Sequence, residues 1–344
     1  MANYLVTGVA GFIASKVAEL LLRDGHTVLG VDNLNSYYDL RLKDWRLARL
    51  LGEDDWQPGP DAGPSRFSGT TASRENFYFR ALDVENLPGL DALFSEFKID
   101  AVFNLAARAG VRFSMENPHL YFSTNAVGAL NILECMRKHR VEKHVLASTS
   151  SLYAGCPMPF TEDLPVNSPL SPYAVSKKAA ELMAFSYHKL YGIKTTVVRY
   201  FTVYGPAGRP DMSILRFIKW IDEGTPLELY GDGSQARDFT YVDDIARGTI
   251  LAKGCDGFEI INLGGGRNPI TIQALIAFIE KALGKKAIIA GKPFHIADVK
   301  ETWADISKAG RSLGWRPQIH ADEGFQRTID WHIANRAWIK TLKV

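Results

Sequence analysis

Residues Tyr4 to Thr7 form a short apolar run that breaks into Gly8-Val9-Ala10-Gly11-Phe12-Ile13-Ala14. Beyond the break, Ile13, Val17, Leu20 and Leu21 recur at helical spacing, and a second apolar run, Val28 to Val31, is closed by Asp32. Few architectures accept a strand, a glycine turn, a helix and a second strand in that order. The pattern predicts a right-handed crossover between parallel strands. The first glycines permit a tight turn and a close approach of backbone N–H groups to a diphosphate. Small Ala14 lets the helix pack on its strand, and the helix N-terminus favours an anion. A carboxylate at Asp32 can accept hydrogen bonds from a ribose and repels a 2′-phosphate, so the turn predicts NAD rather than NADP. Gly8, Gly11, Phe12, Ile13, Asp32 and neighbouring Asn33 are its candidate contacts.

The alternation continues. Phe77–Ala81, Ala101–Leu105, Val145–Ala147 and Thr196–Tyr200 read as strands, and Ala126–His139 and Tyr173–Leu190 as helices. This rhythm predicts an α/β fold with a doubly wound parallel sheet. Asp83-Val84 and Ala106 follow the third and fourth strands, where ligands of such sheets bind. Glu53 to Arg74 interrupts the rhythm with Pro, Gly and Ser and is expected to be a mobile surface excursion. After Thr202 the chain is richer in Pro, Gly and charge. Residues 1–202 are therefore expected to bind the dinucleotide, and residues 203–344 to form a smaller substrate-binding region. Order returns at Phe239–Val242, Ile260–Leu263 and the helical Thr271–Leu283, with a strand near 239–263 completing the first sheet.

Composition excludes several classes of function. A net charge of +2 over 344 residues gives no reason to expect nucleic acid or an anionic membrane surface. Cys135, Cys156 and Cys255 are too dispersed for a disulfide framework or a metal site, and the histidines form no HExxH pair, so no metal is expected. No apolar run approaches membrane-spanning length, and a first strand beginning by Tyr4 leaves no room for a signal peptide. The expectation is a reduced, cytoplasmic protein.

Chemistry is concentrated in Tyr173-Ala-Val-Ser-Lys177. Positions i and i+4 share a helix face, so the phenol and the ammonium lie one turn apart. A nearby cation stabilises a phenolate, which makes Tyr173 a candidate base for an alcohol proton, with a lowered pKa expected. The fifth strand ends in the hydroxyl-rich Ser148-Thr149-Ser150-Ser151-Leu152-Tyr153, where Thr149 can hold the same alcohol.

Taken together, TGVAGFIA, DNLNSYYD, NLAARAGVRFS, STSSLY, YAVSK, RYFTVYGPAGRPDM, GDGSQARDFTYVDDIA and TWADISKA resemble the NAD-dependent epimerase/dehydratase family of extended short-chain dehydrogenases. Within it they are most similar to the UDP-glucuronate 4-epimerases. The resemblance implies a Rossmann fold, Thr149, Tyr173 and Lys177 in catalytic positions, and Asn125 and Tyr200 beside the nicotinamide. It also implies a homodimer built on a four-helix bundle. Family members oxidise the sugar at C4 and then diverge. Dehydratases and decarboxylases carry an acid where this chain has Ser150-Ser151, which favours ketone rotation and hydride return. A UDP-hexose epimerase, a decarboxylase and a non-catalytic NAD sensor stay open as alternatives.

For a uronate substrate the resemblance puts Thr202 and Arg209 on the sugar carboxylate, with help from Ser150 or Ser151, because an arginine fork suits two oxygens. Arg112, Met212, Arg216, Gln235, Arg237 and Asp298 are the remaining expected substrate contacts. Two departures stand out. Ile296-Ala297 precede Asp298 where the family carries basic residues, and Ala154 replaces a glycine after STSSLY.

Overall fold

The strands alternate their side chains between two separate cores. Leu5, Leu29, Val31, Leu146 and Val197 pack on one side of a central sheet, and Val6, Val28, Val145, Ala147 and Val198 on the other. That period of two, with both faces apolar, is what a sheet covered by helices on both sides requires. A computed structural model describes residues 1–266, 269–294 and 300–343.

Seven of the strands are β1 (Asn3–Thr7), β2 (Thr27–Asp32), β3 (Thr71–Arg74), β4 (Phe77–Ala81), β5 (Ala101–Asn104), β6 (Lys143–Thr149) and β7 (Lys194–Tyr200). The eighth, Phe258–Leu263, lies outside β7, and the order runs from it through β7, β6, β5, β1, β2 and β4 to β3. Only β3 runs antiparallel to its neighbour. Helix α1 (Phe12–Arg23) and helix Val242–Ala252 cover one face. Helices Leu87–Glu96, Gly128–His139 and Pro172–Tyr191 cover the other. This is a Rossmann-like α/β fold. Strand order reverses between β1 and β5, and such a switch point opens a crevice at the carboxyl ends of the strands.

Leaving β7, the chain forms Thr202–Tyr204, which pairs with Phe239–Tyr241. A further core joins Phe217, Ile218, Leu227, Leu275, Ile279, Phe325 and Ile329 beyond the sheet. Helix Val242–Ala252 and strand Phe258–Leu263 belong to the sheet layer although they lie late in the chain.

Two local expectations are refined. Glu53–Arg74 lies mostly on the surface, as expected, and is anchored there at several points. Arg41 in helix α2 (Leu40–Leu50) donates to the carbonyl of Pro60 at 2.6 Å, Trp338 donates to Gln57 at 3.0 Å, Ser65 donates to Asp44, and Phe67 is buried in the core. Its last residues are β3. The helix expected from Ala126 is entered through one π-helical turn, Ser123–Val127, before regular α-helix begins at Gly128. The Thr124 hydroxyl donates to Glu85 at 2.6 Å in that turn, and π-turns recur at functional sites.

Candidate active site

A cleft of about 490 Å³ opens where the sheet strands end. Gly8 is one of its tight points. Its φ is +69°, and a Cβ there would lie 2.8 Å from the Ala106 Cα, so neither the angle nor the space admits a side chain. Gly11 caps α1 without a side-chain acceptor, and the first turn of α1 carries no acidic residue. The N-terminal N–H groups are thus left for an anion, as a diphosphate requires. Phe12, Ile13, Asp32, Asn33, Asp83, Val84 and Ala106 line the same wall. The Asn33 amide donates to Asp83 at 2.7 Å and links the ends of β2 and β4. This cradle fits a dinucleotide.

Asp32 has a partner the sequence reading overlooked. Its carboxylate accepts from the backbone N–H groups of Leu34 (2.8 Å) and Ala10 (3.2 Å), and from the Lys43 ammonium at 3.2 Å. Both side chains are buried. Lys43 offsets part of the Asp32 charge, so repulsion of a 2′-phosphate is weaker than a lone carboxylate would give. Asn125 also differs from expectation. It does not line the cleft. Its Oδ1 accepts from the Arg108 N–H at 2.8 Å and its Nδ2 donates to the Arg108 carbonyl and the Ser176 hydroxyl, each at 2.9 Å. It braces the loop after β5 against the Tyr173 helix. Tyr200 borders the cleft, with its hydroxyl 2.9 Å from that of Thr249.

Thr149, Tyr173 and Lys177 all line this cleft. Ser171 caps the helix Pro172–Tyr191, its hydroxyl accepting from the Ala174 N–H at 3.2 Å, and that start places Tyr173 and Lys177 on the inward face. Thr149 ends β6 and hydrogen-bonds to the Tyr173 hydroxyl. Burial pushes the Tyr173 phenol above its usual 10, while the Thr149 hydrogen bond and the Arg209 charge pull the other way. The depressed value expected from the Tyr/Lys spacing is therefore not present in the protein alone, because desolvation of the hydroxyl outweighs the Thr149 and Arg209 contributions. Burial lowers the Lys177 ammonium to about 8, opposed by the Glu181 charge one turn further along.

The outer wall carries Ser150, Ser151, Thr202, Arg209, Met212 and Arg237. Arg237 donates to the carbonyls of Ala236 (2.8 Å) and Lys300 (3.3 Å). Arg112, Arg216 and Gln235 are not part of the wall. Arg112 stacks on Tyr230 at 4.1 Å, Arg216 stacks on Trp220 at 4.5 Å, and Gln235 is buried with its amide donating to the Tyr230 carbonyl. Asp298 lies outside the described residues. Arg209 departs most from expectation. One edge of the fork expected to hold a substrate carboxylate is already taken, with Nε donating to Asp211 Oδ1 at 3.0 Å and Nη2 to Oδ2 at 2.5 Å.

A model of the NAD-dependent epimerase/dehydratase family matches residues 4–264, three-quarters of the chain. This chain belongs to that family. It is 55% identical to a UDP-glucuronate 4-epimerase of Thermodesulfobacterium geofontis, with all of both chains aligned. Among solved structures it is similar to the Bacillus cereus UDP-glucuronic acid 4-epimerase in complex with UDP-glucuronic acid and NAD, at 35% identity and a TM-score of 0.85. That match covers 96% of this chain and 99% of the other. It is also similar to the UDP-glucose 4-epimerase of Thermotoga maritima with UDP-glucose, at 29% identity and a TM-score of 0.82, covering 96% and 99%.

In this member of the NAD-dependent epimerase/dehydratase family, one cleft is lined by the Gly8 turn and by Tyr173, Thr202 and Arg209. Several residues of this epimerase/dehydratase were missed in the sequence. Buried Arg46 donates to the carbonyls of Ala10 (2.9 Å) and Ala207 (2.6 Å), tying the dinucleotide turn to the TVYGPAG segment. The Tyr37 hydroxyl donates to Asp211 at 3.3 Å. Lys43 and Arg46 sit at helical spacing just after DNLNSYYD, which was the one available signal; Asp211 lay inside GRPDM without an assigned role. Among the described residues no cluster of His, Cys, Asp or Glu could hold a metal ion, and no helix is long and apolar enough to cross a membrane.

Proposed function

We propose that this enzyme interconverts UDP-glucuronate and UDP-galacturonate by inverting C4, with NAD as a retained cofactor. The observation that carries the reading is Arg209 on the outer wall of the cleft, beside Thr202 and facing a Ser150-Ser151 pair that lacks any acid. Hydroxyls and a guanidinium suit a sugar carboxylate, and the missing acid removes the group that an elimination needs. When bound, NAD supplies the site's reversible hydride acceptor. Tyr173 removes the C4 hydroxyl proton and returns it, Thr149 holds the sugar oxygen, and Lys177 stabilises charge on the phenol oxygen. Between the two proton transfers the 4-keto ring rotates to offer its other face. Arg209, Thr202 and Ser151 keep the C5 carboxylate from aligning with the ketone, an alignment that would release CO₂.

Incubation with UDP-glucuronate and chromatography of the products tests this reading. UDP-galacturonate is expected, and exclusive turnover of UDP-glucose would overturn it. Arg209→Ala is expected to lose UDP-glucuronate far more than UDP-glucose. A homodimer is the assembly we favour, because Leu182, Phe185 and Leu190 on helix Pro172–Tyr191 and Val127 before helix Gly128–His139 are exposed apolar side chains. Three unpaired cysteines suit a reducing, cytoplasmic setting.

A further inference from the structure

The Arg209 side chain is held from three directions. Asp211 takes its Nε–Nη2 edge, the Ala109 carbonyl accepts from Nη2 at 3.4 Å, and the ring of Tyr37 lies 5.7 Å from its guanidinium carbon. Asp211 is held in turn by the Tyr37 hydroxyl at 3.3 Å. Tyr37 comes from the loop after β2 and Asp211 from the segment before helix Ser213–Glu223, so the contact spans the cleft between its dinucleotide and sugar walls. Among the described residues, Nη1 of Arg209 makes no hydrogen bond, which leaves one end of the fork for a ligand.

We propose that Asp211, fixed by Tyr37, is a built-in counter-carboxylate that tunes Arg209 for a substrate whose own carboxylate must be gripped and then allowed to turn. The proposal rests on the uronate reading above. A guanidinium already paired on one edge presents a nearly neutral ion pair, to which a second carboxylate is drawn less strongly than to an isolated cation. Only Nη1 is open, so the substrate carboxylate meets a single-ended hydrogen bond rather than a two-oxygen fork. An epimerase has to accept both C4 epimers and a ring rotating between them. A full fork on the carboxylate would bind the ground states more tightly and hinder that rotation, lowering KM while also lowering kcat. Asp211 is thus a specificity-determining residue that acts through Arg209. Tyr121, whose hydroxyl donates to the Ala109 carbonyl at 3.1 Å, and the hydroxyls of Tyr37, Tyr38 and Tyr173 are further polar groups near the pair.

Asp211→Asn tests this, because asparagine keeps one oxygen to accept from Arg209 while it removes the charge and turns the second acceptor into a donor. Expected for the holoenzyme are a roughly fivefold lower KM for UDP-glucuronate, a comparable drop in kcat, and UDP-glucose parameters within about twofold of wild type. A raised KM for UDP-glucuronate, or equal changes for both sugars, would overturn the proposal. Tyr37→Phe removes the hydroxyl that holds Asp211 and is expected to move both parameters in the same direction by less. It decides the matter if Asp211→Asn does not fold. Calorimetric binding of UDP-glucuronate to wild type and variant separates the two ideas. A wild type that binds but does not epimerise the uronate sinks the functional reading. Unchanged affinity in Asp211→Asn sinks the role of Asp211.

Discussion

Arg199 and Glu181 form a two-pronged ion pair, Nε and Nη2 donating at 2.9 and 2.8 Å, with both side chains almost wholly shielded from solvent behind the catalytic centre. The Ser148 hydroxyl donates to the same carboxylate at 2.7 Å, and Arg199 donates to the Tyr153 hydroxyl at 2.8 Å. The pair therefore braces β6, whose last residue is Thr149, against the helix that bears Tyr173 and Lys177.

Removing one partner leaves the other charged and unpaired in the interior. Arg199→Met should destabilise the fold by about 3–5 kcal/mol, and the double variant with Glu181→Met by less, since neither charge of the pair is then left without the other. Denaturant unfolding of the three proteins checks this. A single variant within 1 kcal/mol of wild type contradicts the bracing role (about the spread of ordinary surface changes).

The dinucleotide cradle has no room at Gly8. Acid extraction of purified wild type should yield NAD(H), and Gly8→Ala should yield little, because the new Cβ would meet the Ala106 backbone at 2.8 Å with φ at +69°. Wild type that releases mainly NADP(H) would show that Lys43 has turned the Asp32 site towards a 2′-phosphate.

Tyr173→Phe keeps the ring against Tyr121, 6.0 Å between centroids, and deletes the proton acceptor. Binding of UDP-glucuronate should stay near wild type while turnover falls by ~10²–10⁴-fold. Activity within a few-fold of wild type would assign the base elsewhere.

Lys177 gives a pH signature in stability. Its ammonium falls to about 8 in the fold, from the usual 10.5, chiefly through burial. Between those two values the unfolded chain binds the extra proton, so this residue's contribution becomes more favourable to folding as pH rises, and its unfavourable effect is fully present below about 8. The stability of wild type minus that of Lys177→Met should therefore climb from pH 8 to pH 10. A flat difference would mean that the buried lysine is not desolvated.

What the sequence by itself determined was what local rules encode. Gly8-Val9-Ala10-Gly11 before a helical stripe marks the turn because only glycine fits the backbone angle and the close approach there, and Tyr173 and Lys177 share a face because helix geometry fixes it. Strands alternating with helices declared a doubly wound parallel sheet. The tertiary structure alone decided which distant charges meet. Lys43 reaches Asp32 and Glu181 finds Arg199 only when separate elements converge, and nothing in the spacing of those residues announces it. It decided the state of Tyr173 as well. The spacing promises a cation, but the amount of water removed from the phenol depends on every wall of the cleft, and here that desolvation outweighs the Thr149 hydrogen bond and the Arg209 charge.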